Sequence, residues 1–269
     1  MKIKKGGRME EYEQNELSST RHVIGVMSGK GGVGKSSVTA LTAVALARMG
    51  YRVGVMDADI TGPSIPKMFG VHGKLDSADT GLFPAQTERL GIRLVSLNLL
   101  LDREDRPVVW RGPLLAGAVK QFWTDVTWGD LDFMVIDLPP GTGDIPLSVM
   151  QSIPVEGLIT VSSPQDVAAL VVRKAVNMAR MMEKPVIGLV ENMSYIACPK
   201  CGEVIHPFGK PAGAEFAAEM EIPFIGEMPI DPSLSEAADR GEIEEYASPI
   251  MQKLADAVLE HTKAGAPKK

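Results

Sequence analysis

From residue 21 onward, short apolar runs that read as buried strands alternate with longer stretches of helical character. The strand-like runs fall at residues 23–27, 51–56, 92–97, 133–136, 157–161, 185–190 and 223–226. The helical candidates lie at 36–49, 113–126, 145–151, 165–182, 211–220 and 246–261, with Pro113 and Pro164 near helix starts, where a missing backbone amide costs nothing. This alternation predicts an α/β fold: a mainly parallel, doubly wound sheet with helices on both faces. Right-handed crossovers then gather the functional loops at the carboxyl ends of the strands. Residues 1–20 have little apolar patterning and read as a flexible arm, 21–262 as one domain, and the Lys/Ala/Gly/Pro stretch 263–269 as a disordered tail. Residues 71–86, with Gly73, Gly81 and Pro84 among polar neighbours, read as an excursion within that domain.

The first strand runs into Gly29-Lys30-Gly31-Gly32-Val33-Gly34-Lys35-Ser36-Ser37, and the first helix opens there. Gly29, four residues, Gly34, Lys35 and Ser36 satisfy the Walker A spacing of P-loop NTPases. Glycines let successive amides converge on phosphate oxygens, Lys35 neutralises charge, and Ser36 reaches Mg²⁺. Strand, loop and helix in that order also put bound phosphate at a helix N-terminus. Lys30 is surplus to this chemistry, because Lys35 already supplies the lysine of the loop. It is either a solvated loop charge or a group that acts elsewhere.

Two more strand ends carry carboxylates. Asp57 and Asp59 stand one residue apart in Asp57-Ala58-Asp59-Ile60-Thr61-Gly62-Pro63-Ser64, where alternation in an extended segment puts both on one side, toward Mg²⁺ and water. The plain alternative is a capped turn, since Asp, Gly, Pro and Ser all favour turns. The apolar run 133–136 ends in Asp137, in the manner of a Walker B strand whose carboxylate holds Mg²⁺ directly or through water. Gly141 and Gly143 in the following Pro-Pro-Gly-Thr-Gly-Asp segment allow a switch loop to reorganise.

Composition narrows the function classes. The chain has 269 residues, 45% of them apolar, and a net charge of −6, which suits a folded domain and argues against nucleic acid as an electrostatic partner. No apolar run approaches the length of a membrane span and no signal-peptide core follows the N-terminus, so a cytoplasmic protein with no membrane partner is expected. The only two cysteines form Cys198-Pro199-Lys200-Cys201-Gly202, a knuckle at 198–201 whose thiolates converge on one metal. Zinc and a [4Fe–4S] cluster both usually need four protein ligands. The readings are therefore a metal site completed by a second copy across a two-fold axis, a zinc knuckle completed by His206 or a partner, or a redox pair. The last is disfavoured because Pro199, Gly202 and Glu203 suggest a ribbon-like loop and not a helix start.

The loop Gly-Lys-Gly-Gly-Val-Gly-Lys-Ser resembles the deviant Walker A loop of the MinD, ParA and nitrogenase-reductase group of dimeric ATPases. The Pro-Pro-Gly-Thr-Gly-Asp run, with a Cys-x-x-Cys after an Asn-Met strand, resembles the Mrp-type iron–sulfur carriers within it, over residues 21 to about 257. The resemblance implies a homodimer in which Lys30 reaches the partner's nucleotide. It implies that Asp59 orients or deprotonates the attacking water, that Asp57 supports the magnesium shell, that Asn192 reads the adenine edge and that Pro229 and Asp231 line the base pocket. It also implies a [4Fe–4S] cluster held by Cys198 and Cys201 of two copies and passed to apo iron–sulfur proteins, with slow ATP hydrolysis. The competing class is a MinD- or ParA-like positioning ATPase with a structural zinc knuckle. Residues 246–261 lack the basic amphipathic character of a membrane-binding helix, and that class leaves the thiols unexplained. An electron-transfer reductase like the nitrogenase iron protein takes its cysteines from separate loops, unlike this adjacent pair.

Overall fold

Parallel strands covered on both faces bury every residue, and their side chains divide alternately between two layers. In the computed structural model, which describes residues 12–59, 62, 64–78, 81–100, 112–167 and 170–267, that division is explicit. Ile24, Val26, Val53, Val55, Phe133 and Val135 enter one apolar layer, while Val23, Met27, Met56, Met134 and Ile136 enter the other.

The elements are β1 (Ser19–Ser28), α1 (Lys35–Arg48), β2 (Val53–Asp57), α2 (Ile65–Met68), β3 (Ser77–Ala78), β4 (Gly81–Leu82), β5 (Ala85–Gln86), β6 (Arg93–Ser96), a 3₁₀ turn (Leu97–Leu100), α3 (Gly112–Thr124), β7 (Asp130–Asp137), α4 (Asp144–Ser152), β8 (Gly157–Ser162), α5 (Pro164–Val167), α6 (Leu170–Met181), β9 (Val186–Ala197), β10 (Val204–Ile205), α7 (Gly213–Glu219), β11 (Phe224–Pro229), α8 (Pro232–Arg240) and α9 (Pro249–Thr262). The parallel order is β11-β9-β8-β1-β7-β2-β6, with β5 antiparallel beyond β6 and β10 antiparallel on the far end of β9. Helix α1 is apolar on nearly every side because it is wedged between the sheet and α9; Val38, Ala40, Leu41, Val44 and Leu46 are inaccessible to solvent. The opposite layer is filled by Phe122, Trp123 and Trp128, the last donating its indole N–H to Phe122 O (2.7 Å).

The structure bears out the α/β, mainly parallel, doubly wound sheet and shifts several boundaries. β1 begins at Ser19, inside the stretch expected as an arm, and Tyr12 is fastened to the domain: Trp123 Nε1 donates to its carbonyl (2.7 Å) and its amide donates to Ser152 O (2.9 Å). The tail is likewise held, Gly265 O accepting from the Tyr51 hydroxyl at 3.0 Å. The last helix starts at Pro249 and not at 246, since Ser248 is extended (φ −152°), as a residue before proline prefers. Residues 71–86 supply the small β3–β4 hairpin and β5. Residues 1–11, Ile60, Thr61, Pro63 and residues 268–269 lie outside the described residues.

Candidate functional site

β1 and β2 flank β7, and parallel register sets Val26 and Asp57 both beside Asp137. Register partners on adjacent parallel strands face the same way, so Asp57 and Asp137 are brought together by pairing alone. Both are fully buried. The loop after β1 then folds over these strand ends. Gly32 and Gly34 take φ of 83°, and at Gly34 a Cβ would also stand 2.0 Å from Asn192 Nδ2, so no other residue fits there without displacing Asn192.

Lys35 opens α1 and bridges two carboxylates, Asp137 Oδ1 at 2.7 Å and Asp59 Oδ2 at 3.4 Å, with only 5% of its surface exposed. Ser36 Oγ donates to Asp137 Oδ2 (2.6 Å) and Thr39 Oγ1 to Asp137 Oδ1 (2.7 Å). Asp57 accepts from Ser96 Oγ (3.1 Å) and from the Asp59 amide (3.2 Å). Burial, and next the neighbouring Asp137 charge, push the Asp57 carboxyl up to about 8. The unfolded chain releases that proton near 3.8 and the folded chain retains it to about 8. The site's contribution to stability therefore falls as pH rises through that window. Asp57→Asn is expected to flatten this slope in urea denaturation measured across the window; an unchanged slope would assign the retained proton to another group.

A cleft of about 480 Å³ lies above this cluster, lined by Gly31, Gly32, Gly34, Lys35, Ser36 and Ser37 from the loop, by Asp59, Gly62 and Pro140 after β2 and β7, by Ser64 and Met68 of α2 and its cap, and by Met193 within β9. Gly29 is packed so closely on Val171 that a Cβ would meet its backbone at 2.9 Å. Lys30 is exposed and does not line this cleft. Val33 is buried, and its carbonyl accepts from Asn192 Nδ2 at 2.9 Å. Asp231 and Pro229 stand apart from the cleft's lining. Asp231 caps α8, accepting from the Ser233 amide (2.9 Å), and takes the Tyr246 hydroxyl at 2.8 Å. Pro229 pairs with Tyr195 in the sheet.

The cysteines sit where β9 turns back into β10. The apolar run that ends at 190–193 is not the end of the strand, which continues through Ser194 and Tyr195 to Ala197. Cys198 N donates to Glu203 O (2.8 Å) and Gly202 N to Cys198 O (2.8 Å), with Gly202 at φ 75°, a turn that only glycine closes freely. Backbone N–H groups of Cys201 and then Lys200, followed by the Cys201 thiol, bond the Cys198 sulfur and hold its thiol below the usual value. Among the described residues no third His, Cys, Asp or Glu joins the pair. His206 turns its Nδ1 to Ser194 O, 3.0 Å away. Exposed Val204, Ile205 and Phe208 flank the turn. Thr39 and Ser96 are additions that sequence reasoning missed. Thr39 follows Lys35 by one helical turn, which was a usable signal; Ser96 meets Asp57 only through strand register.

Among the described residues no helix is long and apolar enough to cross a membrane. A family model described as ParA, NUBPL iron-transfer P-loop NTPase, matches residues 19–262. An iron–sulfur cluster carrier protein of Clostridium perfringens is 48% identical over 236 residues, 85% of this chain and 82% of that one. A protein of the same name from Methanocaldococcus jannaschii is 47% identical over 230 residues, 85% and 79% of the two chains. A nucleotide-binding protein from Archaeoglobus fulgidus, in complex with ADP and with cobalt found by PIXE, is 47% identical at a TM-score of 0.79, covering 87% of this chain and 91% of that one. The cell-division protein MinD of Aquifex aeolicus shares the fold alone, at 21% identity and a TM-score of 0.60 over 93% of this chain and 100% of that one. A phosphate loop seated on buried carboxylates, and a match along nearly the whole described chain, place this protein in the ParA/NUBPL family of iron-transfer P-loop NTPases.

Proposed function

We propose that this chain is an ATP-hydrolysing iron–sulfur carrier that works as a homodimer, holds a [4Fe–4S] cluster between subunits through Cys198 and Cys201 of each, and delivers it to apo-proteins. The observation that carries this reading is the exposed two-thiol turn with no third ligand from the described residues beside it. A cluster usually takes four protein thiolates, and a second copy supplies the missing two. Exposed Val204, Ile205 and Phe208 next to the thiols give that second copy an apolar surface to cover. Relatives at 47–48% identity bear the name of iron–sulfur cluster carriers, and the one with ADP is named for nucleotide binding.

The nucleotide's phosphates fit the loop from Gly29 to Ser37 at the start of α1. Mg²⁺ would be held by Ser36, Asp57 and Asp137, a buried oxygen-rich set suited to a hard cation; when bound it would neutralise charge on the phosphates. Asp59, at the cleft wall, is the group assigned to the attacking water, and Lys30 is assigned to the partner's nucleotide, consistent with its exposure outside its own cleft. Asn192 is assigned to the adenine edge. Pro229 and Asp231 belong to the base pocket only if the Asp231 cap opens toward it.

Anaerobic reconstitution with iron and sulfide tests the reading, by absorbance, metal count and native mass. The expected result is one cluster of about four irons per dimer. A chain that stays monomeric with metal and nucleotide sinks it. Zinc filling the turn in preference to iron would leave the ATPase and remove the carrier.

A further inference from the structure

β9 carries at one point the contact with the phosphate loop and at its end the thiols, and its course between the two is irregular. Four non-glycine residues among those described have positive φ. Glu183, Glu221 and Lys263 follow helix ends, where a left-handed residue closes the helix. Met193, at φ 60°, stands inside a strand. There the pairing slips: Glu227 faces Glu191 and Pro229 faces Tyr195, so Met228 alone spans Asn192, Met193 and Ser194. A bulge of this kind is ordinarily given to glycine, and a methionine held there marks strain that its surroundings impose.

Those surroundings tie the bulge to both sites. On one side Asn192 Nδ2 donates to Val33 O of the phosphate loop (2.9 Å), Asn192 Oδ1 takes the Met193 amide (2.9 Å), and Met193 lines the cleft. On the other, Ser194 O takes His206 Nδ1 (3.0 Å) from the returning arm of the thiol turn. Ser194 Oγ reaches Glu191 Oε2 (3.2 Å), whose other oxygen accepts from the Ala212 amide at 3.3 Å, just before α7. Burial pushes the Glu191 carboxyl up, so this junction is enclosed by protein.

We infer that the Asn192–Ser194 bulge is the joint through which the phosphate loop sets the orientation of the Cys198–Cys201 turn, with Asn192 and Met193 as positioning residues. This rests on the nucleotide reading above but not on the cluster. Occupancy of the loop bears on Val33 and Gly34, Asn192 follows Val33, and the segment from Ser194 to Cys198 swings about Met193. A strained joint has two arrangements close in energy, which a ligand with different affinity for each can exchange.

The test uses the full chain with reduced thiols. Alkylation rates of Cys198 and Cys201 with iodoacetamide are read by mass spectrometry, with and without ADP and Mg²⁺, while calorimetry measures nucleotide binding. In the natural chain nucleotide is expected to change the thiol rates about tenfold, the ratio equivalent to the cost of one left-handed residue. Met193→Gly takes the same φ without cost, so it should hold the bulged arrangement and respond less than about twofold; a full response there also counts against the joint. Met193→Val, whose branched side chain resists that φ, should respond less than about twofold at nucleotide concentrations that calorimetry shows to saturate it. Nucleotide bound with unchanged thiol rates in the natural chain, or a full response in Met193→Val, overturns the joint and leaves the carrier reading intact. No nucleotide bound overturns both. If Met193→Val does not fold, amide exchange of residues 194–206 in the natural chain decides: altered protection on nucleotide binding supports the joint, and unaltered protection rejects it.

Discussion

Alanine at Cys198 or at Cys201 is expected to reduce reconstituted iron from about four per dimer to near zero while nucleotide still binds. One thiol per chain leaves only two per pair of chains, below what a cubane cluster requires. Among the described residues nothing nearby substitutes, since no further His, Cys, Asp or Glu clusters with the thiols. The loss should be all-or-none, because two thiolates from a pair of chains are half of the usual ligand set and hold no partial cubane. Nucleotide binding should be spared, since the turn is exposed and its residues do not line the cleft. Iron content, absorbance and calorimetry on the same preparations check this. A full cluster in either variant would defeat bridging by paired thiols.

Asp137→Ala is expected to lose ATP hydrolysis by about a hundredfold or more and to unfold roughly 10 °C lower. Asp137 is fully buried and accepts from Lys35, Ser36 and Thr39 at once. Its removal leaves the nearly buried Lys35 ammonium with Asp59 at 3.4 Å and strips two hydroxyls of an acceptor. Breaking a buried pair in this way costs about 3–5 kcal/mol. Relief of the repulsion that raises the Asp57 carboxyl returns part of it. Asp137→Asn keeps an acceptor for only one of the two hydroxyls and also leaves Lys35 without its charge partner, so it should recover only part of the melting temperature and none of the hydrolysis. Calorimetric melting and phosphate release measure the two separately. Equal melting of both variants would mean that the ion pair, and not the hydroxyl acceptor, sets stability here.

The phosphate loop and the carboxylates at positions 57, 59 and 137 were legible because each is fixed by local spacing or by the end of an apolar run. The structure gathers them by pairing β1 and β2 on either side of β7. Contacts formed across the sheet were not legible. Nothing near Ser96 in the chain points to Asp57, and the extension of β9 past Met193 depends on β11 and β10, after the apolar pattern has faded into Ser194 and Tyr195. Helix α8 was readable and went unread: Asp231 before Pro232 at its start and Gly241 after its end form a full set of boundary signals. Asp231 is the cap of that helix, its side chain accepting from the Ser233 amide. Met193 carries no sequence signal, because a positive φ at methionine is imposed by its partners.

Every residue from 201 to 210 is exposed, and this has a bearing on how the proposed cargo would leave. In small zinc-dependent domains the metal is the fold, and removing it unravels the chain. Here the apolar layers lie elsewhere and close without help from the sulfurs. On the proposed carrier reading, discharge would leave a folded vessel behind, and the same molecule would be ready to be refilled.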